Sequence, residues 1–533
     1  MWRINAQILS IFVIAGFAFS SCKTASTESI EYRKDIPIPL SSYDEEHRPQ
    51  LHFSPPGEWM NDPNGMVYYE GEYHLFYQHY PDSNVWGPMH WGHAVSKDLI
   101  HWENLPIALY PDELGYIFSG SAVMDYENTS GFGEEGKPAM VAIYTYHDPV
   151  GAKEESKTFQ TQGIAYSTDK GRSWTKYEGN PVIPNPGLRD FRDPKVFWHK
   201  ESSQWVMIFA RGNQVQIYNS PDLKAWTLAS EFGEDQGTHA GVWECPDLFE
   251  LPIDDTGEKK WMMIVSLGDG NPNGGSGTMY FVGDFDGKTF SNENPKDEVL
   301  WLEYGRDNYA GVTWSDIPET DGRRIFMGWM SNWRYAQVVP TYAWRSAMTL
   351  ARELSFTDYK GKTILKTTPV VENEAMRINE SDLVVGEVAG LRPLGILPNG
   401  LMEIGIKLEL DPSDSPEFIA LQLSNLKGGI VRVGYKTSSQ EYFIDRQVAG
   451  KSDFHEDFAT LDVAPAKTGE ENILDMRLFV DVSSVELFAD EGRTVMTDIY
   501  FPTETFTQLS LLVVKGKAKI LAGKVWELEG VWK

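Results

Sequence analysis

The sequence predicts an all-β chain, a five-bladed β-propeller followed by a C-terminal β-sandwich. Three observations carry the prediction. Five short apolar runs recur at intervals of 56 to 67 residues. A tight turn leading to an aromatic residue recurs in phase with four of them. Beyond about Lys366 the repeat stops and apolar–polar alternation takes over. A strand-rich unit at such a period, with no long helical pattern, marks propeller blades. Alternation with frequent turns marks an antiparallel sandwich.

The N-terminal segment reads as an address. Arg3 precedes a twelve-residue apolar run, 8–19, then Ser20-Ser21-Cys22. The run is too short to span a bilayer comfortably. Its charged start, apolar middle and small-residue end have the layout of a secretory signal. The cysteine resembles the lipobox of bacterial lipoproteins, although Phe19 stands where that motif usually has Leu. We expect a signal over residues 1–21, lipidation at Cys22 and a polar tether over 22–44. That puts the protein at the bacterial outer membrane or cell surface, held to the membrane by its lipid anchor only. A periplasmic or secreted protein cut near the same point is the alternative.

Residues 45–365 are assigned to the propeller. The apolar runs start at Tyr73, Met140, Trp205, Trp261 and Ile325. Each is rich in β-branched, aromatic or other apolar residues and bounded by Gly, Asp, Asn or Lys, so each reads as a buried strand. The second element is Ser96-Lys97-Asp98 with Trp102, Ser167-Thr168-Asp169 with Trp174, Ser220-Pro221-Asp222 with Trp226, and Asp284-Phe285-Asp286 with Phe290. Two elements in phase disfavour an irregular sandwich with chance spacing. Residues 366–382 are polar and read as a linker, with a short helix near 372–377. The sandwich follows over 383–533, with strands at 401–410, 418–423, 430–435, 476–482, 485–489, 494–501 and 509–514.

Composition narrows the function. The chain has 47 Lys+Arg against 77 Asp+Glu, a net charge of −30. That argues against nucleic acid, which needs a basic face, and against polyanionic substrates. Two cysteines cannot make a disulfide framework. Fifteen of the 18 Trp lie between Trp59 and Trp344. Their flat apolar faces suit neutral sugars, though large aromatics also fill β-rich cores.

Three acidic residues stand at matching places in the repeat. Asp62, in Asn61-Asp62-Pro63-Asn64-Gly65, lies 11 residues before Tyr73. Asp193, in Arg192-Asp193-Pro194, lies 12 before Trp205, and Glu244, in Glu244-Cys245-Pro246-Asp247, lies 17 before Trp261. Equivalent ends of innermost propeller strands converge on the channel, so these carboxylates are expected to meet at one mouth. Glycosidic cleavage needs such a set: a carboxylate, a carboxylic acid and a polar clamp. Asn61 to Gly65 is also a strong turn signal, but Trp59-Met60 before it and Met66-Val67-Tyr68-Tyr69 after it argue for a turn inside a funnel. Glu244, between Trp243 and Cys245, is expected in apolar company, which raises a carboxyl pKa as a general acid requires.

These strings resemble the motifs of glycoside hydrolase family 32, the β-fructosidases. The resemblance runs through Trp59 to Gly65, Phe118-Ser119-Gly120-Ser121, Phe191-Arg192-Asp193-Pro194, Trp243 to Asp247 and Gly328 to Trp333, and reaches Ser483 to Phe488. It implies a propeller plus sandwich, Asp62 as nucleophile, Glu244 as acid/base and Asp193 as transition-state stabiliser. It further implies a substrate pocket of Asn61, Gln78, Trp86, Phe118, Ser119, Arg192 and Trp333. The substrate implied is a neutral fructan or fructooligosaccharide, levan or inulin, and an enzyme on a surface tether leans toward endo attack on levan. Exo cleavage to fructose, or a catalytically inactive glycan-binding protein, are the alternatives; the presence of all three carboxylates disfavours the latter. No cofactor and no catalytic metal are expected. His90-Trp91-Gly92-His93 lacks the acid of a zinc motif, and Gly268 to Gly274 misses the dinucleotide spacing. A monomer is expected.

Overall fold

The computed structural model describes residues 35–532 except 135 and 255, so Cys22 and the expected signal lie outside the described residues. Five antiparallel sheets of four main strands each form the blades. Their first strands are Glu58–Tyr69, Tyr116–Asp125, Phe191–His199, Trp243–Pro252 and Tyr309–Thr313. Each touches the first strands of the blades on either side, closing a ring around the channel. The five apolar runs fall in the second strands, Glu72–Tyr80, Ala139–His147, Gln204–Arg211, Lys259–Leu267 and Arg324–Met330. These are buried because they lie between sheet neighbours and between blades, and they read as near-continuous apolar stretches for that reason.

The recurring Ser-x-Asp element, Asp-x-Asp in the fourth blade, is a side-chain-capped turn between the third and fourth strands. Asp98 Oδ1 accepts from the backbone N–H of Ile100 and His101 at 3.0 and 2.8 Å. Asp222 Oδ1 does the same for Lys224 and Ala225 at 3.0 and 2.8 Å, and Asp286 Oδ1 for Lys288 and Thr289 at 2.9 and 2.7 Å. A short carboxylate bonding the backbone ahead of it mimics a backbone turn, which is why the residue type recurs.

The residues read as a linker divide three ways. Lys362–Pro369 is the outer strand of the fifth blade, Val371–Met376 is a 3-10 helix, and Arg377–Asp382 is a strand of the second domain. Only 370–376 connects. Arg377–Asp382 is mostly exposed along its length, so it carries no alternation to betray it.

The second domain is built on one long strand, Gln508–Leu528. Its first half pairs with Phe418–Ser424 and its second with Met402–Leu410. Left-handed Lys515 (φ 51°) and Gly516 (φ 66°) fall between the halves, where the pairing changes hands. Ile404, Ile406, Leu408 and Leu410 alternate into the core against Leu421, Leu423 and Leu511.

Buried charge joins the domains. His52 Nδ1 and Nε2 lie 2.7 and 2.9 Å from carboxylate oxygens of Asp481 and Glu486. Arg352, also fully buried, donates to Glu486 at 2.7 Å and to Thr497 at 2.6 Å. Arg446 of the second domain donates to Asp307 of the first at 2.7 Å.

Candidate active site

Every innermost strand carries a one-residue bulge towards the same end. The shifts fall between Met60 and Pro63, Ile117 and Gly120, Arg192 and Lys195, Glu244 and Asp247, and Tyr309 and Val312. At each, one extra residue is extruded from the ladder, which bends the strand and re-aims its side chains. Asp193 (φ 66°), Cys245 (φ 45°) and Ala310 (φ 53°) adopt left-handed backbone there. Such strain costs roughly 1–3 kcal/mol per residue and clusters at functional sites. Proline has no N–H to lose and is tolerated at bulges. That is the physical reason Pro63, Pro194 and Pro246 follow the acids so closely.

Asn61 to Gly65 is therefore no turn. It lies within one strand, interrupted by that bulge and by a second shift between Asn64 and Val67. Gly65 (φ 52°) is what the second shift requires: a Cβ there would lie 2.7 Å from both Phe76 and Trp91.

The bulges gather the three acids. Asp62 Oδ2 accepts from Ser119 Oγ at 2.7 Å, and its Oδ1 from Asn61 Nδ2 at 3.0 Å. Cys245 Sγ sits 3.5 Å from Asp62 Oδ2 and 3.7 Å from Asp193 Oδ2. The Cys245 N–H donates to Asp193 Oδ2 at 3.1 Å. Arg192 donates to Glu244 Oε1 at 2.9 Å and to Asp190 at 2.6 Å, with Asp193 3.8 Å away.

The other expected pocket residues fall around this set. Trp59 Nε1 donates to Asn61 Oδ1 at 2.7 Å. Gln78 reaches across to the Ile117 carbonyl at 3.0 Å. Trp86, 37% exposed, meets Phe118 edge-on at 6.0 Å, and Phe118 stacks on His147 at 4.1 Å. Trp333 stacks on Trp59 at 5.9 Å.

Burial pushes the Asp193 carboxyl up to about 7, against the pull of the Arg192 charge. Burial also raises Asp62, while the Ser119 and Asn61 hydrogen bonds oppose it. Burial and then the neighbouring carboxylates push the Cys245 thiol far up, so it stands here as a neutral group.

Three features depart from the sequence reading. The carboxylate of Glu244 is not in apolar company: Trp243 and Cys245 point into the fold, and Glu244 turns to Arg192 and to the hydroxyl of Tyr309. Alternation along the strand separates it from its chain neighbours. Tyr309 itself was not anticipated. It lies 16 residues before Ile325, at the station of the other acids, but carries neither acid nor proline to flag it. Cys245, wedged between two carboxylates, was likewise read only as a neighbour.

Comparison with known proteins identifies the family. Residues 52–369 match the model of the Glycosyl hydrolases family 32 N-terminal domain, and 372–527 that of the Glycosyl hydrolases family 32 C terminal. A levanase of Bacillus subtilis (strain 168) is 50% identical over 497 residues, covering 92% of this chain and 72% of the levanase. A levanase of Bacillus sp. (strain L7) is 38% identical over 524 residues, and the chain spans only 55% of its length. The crystal structure of exo-inulinase from Aspergillus awamori superposes with a TM-score of 0.83 at 35% identity, covering 92% of this chain and all of that one. The chain belongs to glycoside hydrolase family 32 and is one of its β-fructosidases.

Proposed function

We propose that the chain hydrolyses β-fructofuranosidic bonds of fructans with retention, and that levan is its substrate. The observation that carries this is the convergence of Asp62, Asp193 and Glu244 on the Cys245 bulge. Asp62 attacks the anomeric C2 of a fructosyl unit while Glu244 protonates the departing oxygen. Ionised Glu244 then activates a water against the fructosyl-enzyme. Asp193 clamps fructosyl hydroxyls, to which charge-assisted bonds are strong. Ser119 and Asn61 hold Asp62 in line, and Arg192 orients Glu244. Levan is supported by the 50% identity to a levanase.

Two modes of attack are distinguished by product size. Lipid anchoring at Cys22 on the cell surface favours endo cleavage of a polymer too large to import. Likeness to exo-inulinases favours release of terminal units. Chromatography of early products from levan, inulin and sucrose decides. Oligosaccharides first supports the endo mode, fructose alone the exo mode, and no release from any of the three ends the hydrolase reading. Replacement Glu244→Gln should abolish turnover while substrate binding stays near wild type; loss of both together contradicts its role. Labelled fatty-acid incorporation lost in Cys22→Ala would support the anchor.

A further inference from the structure

The segment after the second strand of the fourth blade, residues 268–275, runs beside Glu244. A Cβ on Gly268 would lie 3.8 Å from Glu244 Oε2. Blade IV does not hold this loop alone. The Asn273 side chain exchanges two hydrogen bonds with the Val463 backbone of the sandwich domain, donating to its carbonyl at 2.8 Å and accepting from its N–H at 3.0 Å. It also donates to the Tyr304 carbonyl at 2.7 Å. Asp269 accepts from Arg334 Nη2 at 3.2 Å, and Arg334 Nη1 donates to Asp457 of the sandwich at 3.0 Å. Gly275 (φ 78°) locks the loop's far end, since a Cβ there would sit 2.2 Å from Asn332 Oδ1. Arg334 directly follows Trp333 in the chain. Blade IV, blade V and the sandwich thus meet in one clasp at the rim beside Glu244.

The chemistry of the clasp fits a sugar. Glu244 is the group assigned to the departing oxygen, so the unit that departs lies on its side of the funnel. A guanidinium has five N–H donors, of which this one commits two to carboxylates. The side chains of Arg334, Asp269 and Asp457 are 38%, 58% and 38% exposed. Sugar hydroxyls donate and accept, and a rim of guanidinium and carboxylates answers both with charge-assisted bonds.

We propose that Asp269 and Arg334 bind the departing sugar unit of a neutral fructan, and that the sandwich domain sets their position through Asp457 and Val463. The inference rests on the role given to Glu244 above. Arg334 and Asp269 are the specificity-determining residues; Asp457 and Asn273 are positioning residues that act through them.

The test compares two substrates, a fructan trisaccharide and p-nitrophenyl β-fructofuranoside, whose departing group carries no sugar hydroxyls. In Arg334→Ala the ratio of kcat/KM, trisaccharide over aryl fructoside, falls about tenfold or more, chiefly through KM, as loss of a bond from a charged group predicts. Asp457→Ala falls less, Arg334→Lys recovers part of the loss, and Arg334→Ala with Asp457→Ala is no worse than Arg334→Ala alone, because the two act as a unit. Asp269→Asn, exposed and nearly isosteric, lowers the ratio too and serves if an alanine variant fails to fold. An unchanged ratio, equal losses on both substrates or additive losses in the double variant overturn the proposal. A wild-type protein that cleaves neither substrate instead sinks the hydrolase reading and this inference with it.

Discussion

His52 gives the domain interface a pH signature. Burial alone would hold its imidazole neutral, but hydrogen bonds to Asp481 and Glu486, and the charges of both, outweigh burial and push its pKa from 6.5 up to about 9. A raised histidine contributes stability that is fully present below pH 6.5 and is lost as pH rises through about 9. A pKa of about 9 in place of 6.5 is worth about 3–4 kcal/mol in full, most of it between pH 6 and 9.5. Replacing His52 by Gln keeps polar atoms near both carboxylates and removes the titration. Asp481 keeps the backbone N–H groups of Gln50 and Leu51 at 2.8 and 2.9 Å, and Glu486 keeps Arg352 at 2.7 Å, so both acids stay satisfied. Urea unfolding followed by Trp fluorescence at pH 6, 7, 8 and 9.5 reads the effect. Trp532 is a local reporter, since its indole N–H donates to the His52 carbonyl at 3.2 Å. Wild type should lose about 3 kcal/mol more than His52→Gln between the lowest and highest pH. Parallel pH dependences for the two proteins would refute the assignment of a charged His52.

Three further outcomes follow from described contacts. Ser119→Ala removes a bond that holds the Asp62 carboxyl down against burial, so the acidic limb of the kcat/KM profile moves to higher pH. At neutral pH the loss is about tenfold or more, from about 1.5–3 kcal/mol for a bond to a charged group; an unmoved limb contradicts this. Gly65→Ala meets Phe76 and Trp91 at 2.7 Å with left-handed backbone, costing about 2–4 kcal/mol in urea unfolding from overpacking and φ strain together. Arg352→Met strands Glu303 without its buried cation and leaves Glu486 with His52 alone. It should cost about 3–5 kcal/mol, and a change below about 1 kcal/mol would refute the dependence of Glu303 on this cation.

What the sequence disclosed follows from where periodicity survives. The second strands of the blades are buried on both faces, so they stand out as apolar runs. Met402–Leu410 faces core on one side only and alternates. Elements that escaped notice lack both signals. Gly386–Ile396 contains Gly and Pro and exposes Leu391 and Ile396, so it reads as loop. Asn61 to Gly65 carries turn residues because a bulged strand needs the same backbone freedom as a turn. The acids were legible from their phase in the repeat; the partner of Glu244 was not, because Tyr309 becomes its donor only once the fifth blade closes the ring.

The five bulges belong to the backbone, and only three of them display an acid. The other two carry Phe118-Ser119 and Ala310-Gly311 in the same bent frame. Shape and reactivity at this mouth are therefore separable. Exchanging Asp62, Asp193 and Glu244 for their amides would erase the chemistry and leave the cradle standing. The frame is shared but the charges are not independent: Arg192 faces both Glu244 and Asp193, and Cys245 both Asp62 and Asp193, so exchanging one acid changes the field its neighbours feel while the bent backbone stays.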